Sequence, residues 1–156
     1  MRTTLRKALI ALAISTVAAF GADNTLGTWK LDVAKSKYTP GPLPIKSLTV
    51  TREASDGGVK QTTKGERADG TMVDAGYTAK YDGKEVPVTG NSQYDAIAIK
   101  QVNANTLTDE RKKTGGPYKA TGRTVVSNGG KTMTTTMRGT NAEGKEFTQT
   151  LVLEKQ

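Results

Sequence analysis

From Gly27 onward the sequence is cut by turn signals into short runs in which apolar and polar residues alternate. Asp56-Gly57-Gly58, Ala68-Asp69-Gly70, Asp82-Gly83, Gly90-Asn91, Asn103-Ala104-Asn105, Gly115-Gly116-Pro117, Asn128-Gly129-Gly130 and Asn141-Ala142-Glu143-Gly144 are the breaks. A period of two sends successive side chains to opposite faces of a strand, so each run can bury a single row. Trp29, Leu31 and Val33 form the first such row, against Thr28, Lys30 and Asp32. Phe147, Leu151 and Leu153 form the last. Nothing between them carries a helical period. The chain is constrained to be all-β.

Turn signals at this spacing predict about eight to ten short strands, the pattern of an all-β barrel or sandwich. The connections are short enough for adjacent antiparallel pairing, so a meander is the simplest topology. One connection differs: Lys35 to Pro44 holds Pro40, Pro42 and Pro44 with Gly41, and reads as an extended crossing loop. The clearest hairpin signal pairs Tyr77, Ala79 and Tyr81 with Val86 and Val88 across Asp82-Gly83. Gly65, Gly76 and Gly122 fall inside strands, where glycine marks a bend or a close backbone approach. A meander this long must protect its edges, and closure does so. The expected fold is a closed up-and-down antiparallel β-barrel whose first strand, near Trp29, meets its last, near Leu153.

Residues 1–21 stand apart. Arg2, Arg6 and Lys7 precede an apolar run from Ala8 to Phe20, and Ala19-Phe20-Gly21 offers small residues around a cleavage point. This is the layout of a secretory signal peptide, and the run is short for a membrane span. The expectation is an exported protein, periplasmic or extracellular, whose single barrel domain covers residues 22–156. Without the three leader cations, 23 basic residues fall to 20 against 15 acidic ones, a net charge of +5. These charges are interspersed and only 5% of residues are aromatic, so nucleic-acid binding is not expected. Cysteine and histidine are absent. That removes disulfides, the usual general base and the commonest metal ligand. No enzyme, cofactor or metal is expected, and no membrane span in the mature chain. The two mid-strand carboxylates, Asp74 and Asp109, could meet only in one particular register.

Gly27-Thr28-Trp29 resembles the Gly-x-Trp that opens the first strand of lipocalins and related calycin barrels. Glu110-Arg111-Lys112, Asn128 to Met133 and the closing Leu151 to Gln156 look like the last strands of intracellular fatty-acid-binding proteins. The whole chain is similar to small exported bacterial proteins of generic lipocalin-like type. The resemblance implies a calycin-like barrel. It does not carry over the helix pair of fatty-acid-binding proteins, for which Lys35 to Pro44 is too short. Nor does it carry over their Arg-x-Tyr carboxylate site, where Leu151 and Leu153 stand instead.

The resemblance also implies that Trp29 plugs one end of the barrel beneath a basic side chain, with Arg111 and Arg123 as the candidates for that side chain. The same two arginines could instead face a cavity and meet an anionic head group, aided by Tyr118. Surface pairing with Glu110 is the plainer alternative. Tyr77, Tyr81 and Tyr118 fit a pocket wall or a core equally well, as do Met133 and Met137. Gln61, Thr63 and Gln149 lie on rows that also carry apolar residues, which suggests a wet interior. The candidate ligand-binding residues are therefore Tyr77, Arg111, Tyr118, Arg123 and Gln149. The expected function is binding of a small, mostly apolar or amphipathic ligand by a monomer. The alternative is a cell-envelope module with a side-chain-filled barrel, docking through the proline loop.

Overall fold

The computed structural model describes residues 21–156. The inferred signal peptide, residues 1–21, lies outside them except for Gly21. Ten strands run in chain order: β1 (Gly27–Thr39), β2 (Ile45–Ser55), β3 (Gly58–Arg67), β4 (Met72–Lys80), β5 (Asp82–Pro87), β6 (Ala96–Asn103), β7 (Thr106–Lys112), β8 (Lys119–Ser127), β9 (Thr132–Thr140) and β10 (Glu146–Lys155). They form one antiparallel sheet in the order β4-β3-β2-β1-β10-β9-β8-β7-β6-β5. The first and last strands meet as the alternation predicts, with Trp29 opposite Lys155 and Leu31 opposite Leu153. The all-β, up-and-down, nearly closed barrel is compatible with a calycin-like fold. Among the described residues no helix is long and apolar enough to cross a membrane.

Closure is incomplete between β4 and β5, where the hairpin around Asp82-Gly83 was expected. Only Gly76 and Thr89 bridge there, each N–H donating to the other's carbonyl at 3.0 Å. The reason is local. The Asp82 carboxylate accepts from the Lys84 N–H at 2.9 Å, Gly83 adopts φ +73°, and the chain leaves this turn aimed at β6. There Asp82 pairs with Lys100 and Val86 with Ile97. Pro87 has no N–H to contribute, which suits a strand with a free edge.

The second departure is in β1. Lys35 to Thr39 belongs to the strand, and only residues 40–44 form the connection to β2. Register against β10 jumps from Asp32–Val152 to Lys37–Thr150, so the intervening residues bulge. The Ser36 hydroxyl holds the bulge: it donates to the Asp32 carbonyl at 2.7 Å and accepts from the Val152 N–H at 3.0 Å. Trp29 and Leu31 stay buried, whereas Val33 leaves their row and is 45% exposed.

The inward rows build one core about Trp29, Val50, Met133, Phe147 and Leu153 and a smaller one about Val59, Ile97 and Leu107. Several inward positions are polar. Arg52 follows Leu48 and Val50 on β2, and Asp109 follows Leu107 on β7; both are buried. These two side chains define the interior.

Candidate functional site

One end of the barrel is sealed by the segment before β1. Trp29 is fully buried there, and its Nε1–H donates to the Thr25 carbonyl at 2.9 Å. The cation above the indole is Lys155, its Nζ 5.2 Å from the ring centroid. Arg111 and Arg123, expected in that place, are elsewhere: Arg111 lies 5.2 Å over the Tyr94 ring, and Arg123 is exposed. The cause is register, because β1 pairs with β10 and brings Lys155 beside Trp29. Gly27 makes room, since a Cβ at that position would lie 2.9 Å from the Lys155 Cε.

Between this seal and the opposite rim lies an interior cavity of about 140 Å³. Its wall includes Leu48, Val50, Leu107, Met133 and Leu151 among polar side chains. It reaches solvent at the end carrying the proline loop, where Gln93 and Ala142 line it and are exposed. Of the candidate ligand-binding residues, Tyr77, Arg111, Tyr118 and Gln149 all line this cavity, and Arg123 does not. Gln61 and Thr63 also line it, so these polar positions face inward as their rows predict.

Arg111 is firmly tied. Its Nε–H donates to Asp109 Oδ1 at 2.7 Å and its Nη2–H to Oδ2 at 3.1 Å. Their side chains are 15% and 6% exposed, so this is a buried, bidentate ion pair. Burial works against the Arg111 charge, but the Asp109 carboxylate outweighs it and holds the guanidinium well above its ordinary value. The carboxylate sits over Gly122 on the paired strand, where a Cβ would come within 2.6 Å of both its oxygens. Glycine inside β8 is thus a space reserved for an ion pair on β7. Asp74, by contrast, is exposed on the outer surface, so the register that would pair it with Asp109 does not occur.

Toward the rim Tyr94 stacks on Tyr118 at 5.8 Å, Tyr118 meets Phe147 at 5.9 Å, and Phe147 stacks on Tyr38 at 5.7 Å. Burial pushes the Tyr118 hydroxyl up to about 12. Burial and a hydrogen bond donated to Asp23 do the same for Tyr81. Both phenols are therefore neutral in the folded barrel at pH values where the unfolded chain, with tyrosines near 10, has ionised. The unfolded state then binds fewer protons, so stability is full below about pH 10 and falls as pH rises toward 12. We expect urea midpoints to be flat from pH 8 to 9.5 and to drop above pH 10. Tyr118→Phe should flatten part of that drop, by on the order of 1–3 kcal/mol.

The sequence did not single out Arg52. It is 6% exposed and lines the cavity at its sealed end. Its Nε–H donates to Thr25 Oγ1 at 3.2 Å, one Nη1–H to Gln61 Oε1, and one Nη2–H to the Tyr81 hydroxyl at 3.4 Å. Tyr77 also donates to Gln61 Oε1, at 2.9 Å. Burial opposes the Arg52 charge, yet the tyrosine and aspartate oxygens around it leave its pKa raised overall. A signal for it existed: a cation two residues beyond Val50 on an apolar row. Among the described residues no cluster of three or more carboxylates is placed to hold a metal. The sequence matches no known family model and no curated protein.

Proposed function

We propose that the protein is an exported binding protein that holds one small amphipathic molecule inside its barrel. The observation that carries this reading is the interior cavity of about 140 Å³, walled by apolar and polar side chains together and open at one end. A dry apolar cavity of about 150 Å³ accommodates a benzene, whereas drug-sized ligands occupy roughly 300–1,000 Å³. The ligand is accordingly the size of a single ring or a short alkyl chain. A long fatty acid would have to displace side chains.

Isothermal titration calorimetry with a series of straight-chain alcohols tests the reading. Each methylene buried contributes about 0.8 kcal/mol, so affinity should rise about fourfold per carbon. It should stop rising once the chain fills the space, at roughly six to eight carbons. Absence of heat and of any thermal shift across the series, and across single-ring compounds, would favour a barrel filled by its own side chains.

A further inference from the structure

We propose that the sealed end of the cavity is a receptor for a monoanionic head group, a carboxylate foremost, with Arg52 as the residue that binds it. This rests on the reading of the barrel as a binding protein and adds the chemistry and orientation of its ligand.

Arg52 is almost wholly buried, and a guanidinium does not deprotonate in proteins. A buried cation is ordinarily paired with an anion. Among the described residues no carboxylate lies within 4.0 Å of Arg52, whereas Arg111, which lines the same cavity, has its own in Asp109. The nearest counter-charge, Asp23, acts only through intermediaries: Thr25 and Tyr81 each accept from Arg52 and donate to the Asp23 carboxylate. The remaining partner, Gln61, is neutral.

Hydrogen-bond capacity points the same way. Of the five N–H groups on a guanidinium, three are used, by Thr25, Gln61 and Tyr81. One N–H on each terminal nitrogen remains without an acceptor among the described residues. Two such donors are what a carboxylate takes end-on. Arg52 lines the same cavity as Val50, Leu48 and Leu151, so an acid bound here would put its tail along apolar wall toward the open rim. Arg111 near that rim does not compete, because Asp109 already occupies its fork.

The test compares hexanoate, hexan-1-ol and hexylamine by calorimetry on the protein and on Arg52→Met, with folding monitored through Trp29 emission. The expected result is hexanoate binding at least tenfold tighter than hexanol, and hexylamine not binding. In Arg52→Met the preference for the acid should vanish while hexanol still binds. Equal affinity for acid and alcohol, or a preference that survives in folded Arg52→Met, overturns the assignment while leaving the binding-protein reading intact. No binding of any of the three compounds overturns the assignment, and the same silence from the wider alcohol series and single-ring compounds overturns the binding-protein reading with it. If Arg52→Met does not fold, the comparison on the unaltered protein decides the matter alone.

Discussion

Trp29→Ala is expected to be among the most damaging single truncations in the barrel, lowering stability by about 3–5 kcal/mol. For a domain of this size that is a fall in Tm of about 10–20 °C. The indole is fully buried, donates to the Thr25 carbonyl and carries Lys155 on its face. Removing it leaves a cavity at the seal and frees the segment that packs beneath Arg52. Two milder variants separate the contributions. Trp29→Phe keeps most of the buried area but loses the hydrogen bond, at about 1–2 kcal/mol. Lys155→Met removes only the cation, at about 0.5–1 kcal/mol. Arg123→Ala should leave Tm unchanged, since that side chain is exposed and away from the indole. Thermal denaturation followed by circular dichroism reads all four. A loss of under 1 kcal/mol in Trp29→Ala would show that the seal is not part of the cooperative core.

Asp109→Ala carries the second large effect. The substitution strips Arg111 of its bidentate partner and leaves a buried cation facing the cavity, a change that costs about 3–5 kcal/mol. The pair itself contributes little net stability, because both charges were desolvated to form it. Asp109→Leu combined with Arg111→Met should therefore recover most of the loss, and could equal the unaltered protein. Urea denaturation of the two single variants and the double variant measures this coupling. Additive losses in the double variant would contradict it. The double variant retains Arg52, so it should also retain any preference for acids over alcohols.

Much of this fold is legible in the sequence because strand formation here is a local matter. Asp-Gly and Asn-Gly turns separate runs whose apolar rows, such as Leu48 with Val50 and Ile97 with Ile99, are buried as their alternation requires. The departures arise where distant segments decide. The β1 bulge depends on Ser36 meeting the Val152 N–H, more than a hundred residues away. The opening between β4 and β5 depends on β6 capturing β5, a competition the Asp82-Gly83 signal does not register. Likewise the cation over Trp29 is set by β1–β10 register, so Arg111 and Arg123 were reasonable by residue type and misplaced by geometry. Four of the five candidate ligand-binding residues line the cavity because inward rows can be counted. Arg52 could have been counted with them. A charged residue in step with Leu48 and Val50 shows plainly once the row is followed to its end.

The most direct test of a ligand-holding interior is methyl-resolved NMR of the labelled protein during titration with hexanoate. The account predicts saturable shifts at Leu48, Val50, Leu107, Met133 and Leu151, which wall the cavity, and unmoved signals from the exposed Val33, Met72 and Val102. Shifts confined to those exposed methyls, or none at all at saturating hexanoate, would contradict it.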